Sequence, residues 1–559
     1  MATFPQLKQI KHISPEPHYP NKMVIHTTDT HGLYYLFIVI DGAIWLLSKD
    51  RSISEVDIIL HPVFLKAEVR RLLKNARKFF AAKFSRVKTE TTSQNRDEVS
   101  LERRIYEFRE RVTLETSLGR ISVYISPKPF VGNILCWFRS FWQAIQSWKQ
   151  CHINGYLVFQ NLLSLRYREV LIGDLIASTV LRSNSKCGGS LSACSKIYLF
   201  SVLLNGIFIS DYIWHEISED LANHCVIVSE HTYLHSIYKR VLHHRGAKVL
   251  DYHYYATDFK LIEPNEPLQN PQIAQKKDIQ LSAFDRARAI TYLHERIYAP
   301  HKHLWYMTQG YNRTDNQLLN TEDKRIEILP DKLYAVVFLH SFYDAQYFYG
   351  VDDFDDIYHW TIFTIDNLLA NPNIEKVFVK QHPNVDYESY PGDKIAYERL
   401  VHRYANQLKL DWLRKDCSPL SLSTSGCFVG ITHHGSIAEE LTFLGIPVIA
   451  STFAPWGKAY AFVHTWENLD NYKSLLQSLA LETWTKPSEA MLEELYKYVV
   501  EYRLNAFPVN KKFAWMKFAE FLNCEINSLE FLRLEYELAC DDPRLINFLN
   551  YLVLEKQRK

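Results

Sequence analysis

The chemistry of this chain concentrates in Thr432-His433-His434-Gly435-Ser436, followed by Glu439 and Glu440. A glycine–serine turn opening a helix beside two histidines presents backbone N–H groups and the positive end of the helix dipole, which suits a phosphate. Glu440 falls one helical turn after Ser436 on the same face, where a carboxylate can hold a ribose or sugar hydroxyl. Ser436 and Glu439 also fit a capping box, a purely structural helix start. The cap is assigned to Glu439 and the ligand role to Glu440. The pattern implies a nucleotide-linked substrate.

Two further loops carry candidates for the same site. Gln381-His382-Pro383-Asn384 follows an apolar run ending in Lys380. Proline there fixes the chain at the carboxyl end of an expected strand, where α/β sheets bind ligands. His382 is expected to donate to a phosphate, Lys380 to add charge, and Asn384 to line the same pocket. His340-Ser341-Phe342-Tyr343-Asp344 follows another expected strand. His340 joins His433, His434, Gly435 and Ser436 in the donor-binding set; His340 or Asp344 serves acid–base chemistry, or Asp344 caps the next turn. In the first half, Asp174 is a general base toward an acceptor hydroxyl or a helix N-cap. Glu230, within Ser229-Glu230-His231, is the second candidate base. Arg182 and Arg240 either bind an anionic acceptor or lie on solvated helix faces. The acidic run at 352–356 lacks an EF-hand pattern, so no metal is expected, and no cofactor either.

These residues need a parallel sheet behind them, and the chain alternates accordingly. Strands are expected at 36–41, 56–60, 168–172, 225–229 and 249–250, with helices following residues 174 and 238. A second series runs through strands at 334–339, 377–380, 427–430 and 447–450, with helices at 357–369, 396–408 and 436–444. Strand–helix alternation implies a parallel sheet covered on both faces. Four regions follow: 1–150, a partly helical N-terminal part; 151–325, a Rossmann-like acceptor domain; 326–482, a Rossmann-like nucleotide-sugar domain; and 483–559, C-terminal helices. The first strand–helix turn of neither series carries G-x-G-x-x-G, and the chain has no P-loop, which argues against a dinucleotide or ATP fold of those types.

Bulk properties bound the rest. A chain of 559 residues calls for several domains. A net charge of +1 gives no global field toward nucleic acid, and none is expected as a partner. The nine cysteines show no C-x-x-C, so they are expected as reduced thiols. The N-terminus has no signal pattern, and the apolar runs at 34–47 and 197–210 are too short to span a bilayer. A cytoplasmic protein is expected. Residues 66–88 carry nine Lys/Arg against one Glu, with apolar residues near helical spacing. They form either a basic helix on anionic lipid at the inner face of the cytoplasmic membrane or a surface helix packed on its own domain. The aromatic-rich run at 130–148 adds to the first reading.

Gln381-His382-Pro383-Asn384, then Thr432 to Ser436 with Glu440, Gly445 and Pro447-Val448, resemble the donor domain of bacterial capsule and surface-polysaccharide glycosyltransferases of the GT-B fold. Ile172-Gly173-Asp174-Leu175-Ile176 with Leu181-Arg182 resembles the first-domain motif of the same group. The resemblance covers roughly 150 to 480 and implies an α/β fold with two Rossmann-like domains facing across a cleft. It implies a nucleotide-sugar donor on the second domain and an oligosaccharide or lipid-linked glycan acceptor. His382 matches the group's His-Pro motif; His434, Gly435 and Ser436 stand where Ser-Ser is often found. Two other readings stay open: transfer of a polyol phosphate from a CDP-glycerol-type donor, and a non-catalytic scaffold in a capsule-assembly complex.

Overall fold

The computed structural model describes residues 21–28, parts of 39–61, 112–125 without 116–118, and 134–298 and 320–505 apart from short internal stretches. Glu230, Asn384 and the basic run at 66–88 lie outside the described residues.

The first sheet contains β1 (Asn21–Thr28), β2 (Ile53–His61), β3 (Val112–Glu115), β4 (Arg120–Ile125), β5 (His224–Val226), β6 (Lys248–Tyr252) and β7 (Phe259–Ile262). Their order is β7-β6-β5-β1-β2-β4-β3. The inner five run parallel, and β3 and β7 close the edges antiparallel. Ile25, Val56, Ile58, Ile121 and Val123 are fully buried along these strands, as β-branched residues are when helices cover a parallel sheet.

Helices α1 (Ile134–Cys151), α2 (Gly173–Ser183), α3 (Lys196–Glu216) and α4 (Ser236–His244) build the rest of this domain. α3 packs against α1, α2 and α4, while α4 lies on β1, β5 and β6. By length and composition α3 could cross a membrane, contrary to the expectation that 197–210 is too short, but 67% of its apolar window is buried inside the protein. Its Asp211 is fully buried and accepts from Arg139 Nη2 of α1 at 2.8 Å and from Tyr167 OH at 3.0 Å. Gly173 opens α2 because a Cβ there would sit 1.8 Å from the Leu162 carbonyl oxygen.

The second domain repeats the plan. After α5 (Ala283–Tyr298) come β8 (Leu333–Phe338), α6 (Ile357–Ala370), β9 (Ile374–Lys380), α7 (Gly392–Arg403), β10 (Leu410–Leu413), β11 (Cys427–Ile431), α8 (Ile437–Phe443), β12 (Val448–Ser451) and β13 (His464–Trp466). All six strands are parallel, in the order β10-β9-β8-β11-β12-β13. That is the doubly wound Rossmann order, in which the chain steps outward from the first strand and then returns to its other side. Two Rossmann-like α/β domains are therefore present, as the GT-B expectation requires.

Several expected boundaries move. Strands β1 to β4 are four of the seven strands of the first sheet, so the described strands before residue 150 belong to that domain. The strand expected at 168–172 is a small hairpin of Arg166–Tyr167 and Val170–Leu171, outside both large sheets. Val39, inside the strand expected at 36–41, is helical. Residues of α5 (Tyr292, Leu293) and of the C-terminal α9 (Glu489–Tyr498; Leu495, Tyr498) share one core with the second sheet. Cys187 and Cys194 form a disulfide, correcting the expectation of reduced thiols throughout.

The first sheet also holds three stacked imidazoles. His26 Nδ1 lies 2.9 Å from His61 Nε2, and His26 Nε2 lies 2.7 Å from His224 Nδ1. Burial pushes His61 down to about 3, and burial with its two neighbours holds His26 well below the usual range. The unfolded chain protonates these rings near pH 6.5 while the folded one does not, so stability is full above that pH and falls below it. Each such histidine removes about 2 kcal/mol between pH 6.5 and 5. Urea unfolding across that range should show the loss, and His61→Phe should flatten the slope.

Candidate functional site

The strand order of the second sheet reverses between β8 and β11, and the crevice outside their carboxyl ends is where such sheets bind ligands. The loop after β8 brings His340 to this point, the loop after β9 brings His382, and the loop after β11 brings Thr432 to Ser436. His340 is buried. Its Nε2 accepts from the backbone N–H of His433 at 3.1 Å and of His434 at 3.3 Å, and lies 3.0 Å from Thr432 Oγ1. Burial first, then the neighbouring His434, His433 and His382, hold its pKa well below the usual range. A neutral ring with its acceptor nitrogen turned to the loop is a turn organiser, a role the sequence reading did not foresee for this residue.

This corrects the expected cradle in detail. The N–H groups of His433 and His434 bond to His340, and that of Gly435 donates to Thr432 Oγ1 at 3.3 Å. The N–H groups of Ser436 and Ile437, next along the turn, have no protein acceptor among the described residues. Gly435 is needed for space: a Cβ there would meet Thr432 Oγ1 at 2.7 Å and His340 at 3.2 Å.

His434 is the ring presented at this turn. It stacks on His340 with centroids 4.1 Å apart and on Tyr349 at 4.7 Å. Its Nδ1 lies 3.0 Å from His433 Nδ1. The buried His433 places Nε2 2.9 Å from Asp352 Oδ2, off the angle of a good hydrogen bond, and Asp352 also accepts from Ser451 Oγ at 2.8 Å. A proton on His433 Nε2 facing the carboxylate leaves its Nδ1 as acceptor. His434 then donates from Nδ1 and turns a lone pair outward on Nε2. Burial, with His433 and His382 beside it, holds the His434 pKa well below the usual range. His382 is half-buried and pushed down to about 4, by burial and by Lys380. A proton on His382 would oppose one on His340 or on His434, which puts the β9 loop within electrostatic reach of the β11 turn.

The remaining expected ligands are otherwise engaged. Lys380 is buried and donates to the Lys415 carbonyl at 3.0 Å. Glu440 accepts from Arg296 Nη2 of α5 at 2.9 Å in a fully buried pair, and the same nitrogen donates to Ser436 Oγ at 2.9 Å. Glu439 does not close a capping box; it pairs with Arg503 at 2.5 Å. Asp174 forms a bidentate pair with Arg240 of α4, at 2.6 and 2.7 Å, which fixes the first turn of α2. Thus Glu440, Lys380 and Asp174 hold the fold around the site, and Arg240 is no solvated face.

Asp344 lies at the seam between the domains. Its Oδ1 accepts from Arg182 Nη1 and from Tyr233 OH, each at 2.5 Å. Nearby, the loop closed by the Cys187–Cys194 bond presents its carbonyls to the second domain. Cys187 accepts from Arg399 Nη1 at 3.1 Å, and Gly189 from Gln346 Nε2 at 3.2 Å. His231 stacks on Phe348 at 6.5 Å, Phe348 meets Tyr349 edge-on at 5.2 Å, and Tyr349 reaches His434. An aromatic path therefore runs from the first domain to the turn after β11. Sequence reasoning missed Asp352, Tyr349 and Asp393. Asp393 is buried, accepts from the Phe342 N–H at 2.5 Å, and is pushed up to about 8 by burial, so it is protonated at neutral pH. Ala345 and Asp352 adopt left-handed backbone at φ 51° and 53°, a strained conformation that concentrates at functional loops. No spacing rule marks these residues.

No protein-family model matches the chain, and no curated protein matches it in sequence. Among solved structures, the chain is similar to KpsC, a beta Kdo 2,4 transferase of Thermosulfurimonas dismutans. The identity is 11%, over 50% of this chain and 84% of that one, at a TM-score of 0.28. It is also similar to a glycosyltransferase of Rickettsia africae ESF-5, with 9% identity over 91% and 100% of the two chains and a TM-score of 0.24. A trehalose-6-phosphate protein of E. coli bound with UDP-2-fluoro glucose gives 9%, 90% and 99%, at 0.27. Superpositions this loose carry no chemistry across; the strand orders of the two sheets establish the fold.

The Arg296–Glu440 pair yields a direct test. Removing one partner of a fully buried ion pair strands the other charge, at about 3–5 kcal/mol. Chemical denaturation should show Glu440→Ala losing that much, while a double Arg296→Met/Glu440→Leu variant recovers most of it.

Proposed function

We propose that the chain is a glycosyltransferase that moves a sugar from a nucleotide-sugar donor onto a growing bacterial surface polysaccharide, at the cytoplasmic side of the membrane. The convergence of His382 and His434 at the switch point of the second sheet carries this reading, together with the motif resemblance. The nucleotide phosphate binds against those two rings and the N–H groups of Ser436 and Ile437. Tyr349 stacks on His434 and fixes its plane. Asp352 fixes the tautomer of His433 and, through it, that of His434.

Both rings are neutral in the free protein, so an arriving phosphate draws protons onto them. The imidazolium charge then balances the negative charge that grows on the phosphate as the bond to the sugar breaks. On the acceptor side, Asp174 is held by Arg240, and Asp344 is held by Arg182 and Tyr233. Glu230 is therefore the base we assign to the acceptor hydroxyl. The next residue, His231, stacks on Phe348 of the second domain.

Thermal-shift measurements with CMP, CDP, UDP and GDP test the site, because a ligand bound only by the native state raises stability. One nucleotide should shift the wild type and should shift His382→Ala and His434→Ala far less. A shift by CDP-glycerol with none by any nucleotide-sugar would turn the reading toward polyol-phosphate transfer. No shift by any of them would remove it.

Proton linkage gives a second outcome. Histidine pKa values that rise on binding make affinity increase as pH falls, up to about tenfold per pH unit for each whole proton taken up. Calorimetry of nucleotide binding between pH 8 and 6 should show this uptake, and His434→Gln should reduce it.

A further inference from the structure

We propose that the face formed by α1, the start of α3 and the hairpin at 152–157 rests on an anionic lipid bilayer surface. Phe138, Phe141, Trp142, Ile153, Tyr156 and Ile197 are between 47% and 84% exposed there. Phe138, Phe141 and Trp142 recur at helical spacing along the outer side of α1. Its inner side, Cys136, Ser140 and Ala144, is buried where α1 packs on α3. An aromatic stripe at this spacing is the usual mark of a core-facing side, yet here it is the opposite side that faces the core.

The six residues form one surface. Phe141 meets Phe200 of α3 edge-on at 6.3 Å, and Ile197 lies one turn before Phe200. Lys196 Nζ donates to the Gly155 carbonyl at 2.8 Å, tying the hairpin tip, which carries Ile153 and Tyr156, to the start of α3.

Charge selects the occupant. From residue 134 to residue 168 the chain contains no Asp or Glu. Lys149 and Lys196 are exposed on this face, while Arg139 is neutralised by Asp211. Aromatic side chains flanked by two lysines, on segments without a carboxylate, match an anionic headgroup layer over an acyl boundary. A second copy of the chain fits poorly, because a two-fold contact would set each lysine-bearing face against its identical partner. The proposal is independent of the nucleotide site and of the basic run at 66–88.

Flotation of the full-length protein with vesicles tests it. The protein should float with vesicles containing phosphatidylglycerol and stay behind with phosphatidylcholine alone. Phe141→Ser/Trp142→Ser should weaken that binding roughly tenfold or more, from the apolar area removed. The same variant should keep its thermal midpoint and its nucleotide shift, since both residues are exposed and far in the chain from the donor loops. Lys149→Glu/Lys196→Glu should act in the same direction as high salt. Three results would overturn the proposal: no flotation of the wild type, equal flotation of the aromatic variant, or a concentration-dependent dimer that the variant abolishes.

Discussion

One nitrogen atom organises the second domain. Nε2 of His340 receives two consecutive backbone N–H groups from the neighbouring loop and lies within reach of a threonine hydroxyl. It thereby welds the ends of β8 and β11 at the place where the sheet changes direction. A protonated ring could not accept those bonds, so the turn requires a neutral imidazole, and burial supplies it. The conformation of Gly435, the stacking of His434 and the exit of α8 all follow from this contact.

Around the turn, charges are satisfied by partners far away in sequence. Arg296 comes from a helix that precedes the second sheet and Arg503 from the segment that follows it, and each takes one of two adjacent glutamates on α8. A short helix carrying two buried carboxylates would be costly alone. Clamped from both sides it becomes a rigid floor for the histidines. The two pairs fix the short helix from both sides and so hold the turn that precedes it.

The parts of the molecule that were legible in the sequence are those whose signals are local. The strands of the second sheet are apolar runs bounded by glycine, proline and polar turns, and β8, β9, β11 and β12 fall where alternation placed them. The placing of His382 and His434 on one side of the sheet was also legible, because residues that follow the parallel strands of one sheet share its carboxyl edge, here on either side of β8. The first sheet was legible only in part: β2, β5 and β6 fall on the runs expected at 56–60, 225–229 and 249–250, whereas β1 carries Asn21, Lys22 and two threonines among its apolar residues and pairs with β5 across two hundred positions. The true partners of Glu440 and Asp174 were hidden for the same reason: 144 and 66 residues separate each from its arginine. A carboxylate placed by helical spacing near a ligand looks the same on paper as one reserved for a distant guanidinium.

Asp211 has a consequence beyond the folded state. It interrupts a helix whose length and apolar character match a bilayer-crossing segment, and it finds its arginine only when α1 lies alongside. Until that docking occurs, an aspartate without its arginine makes the segment expensive to strand in hydrocarbon. One buried carboxylate thus favours the aqueous fate of the nascent chain, and the finished protein retains it as an internal bond.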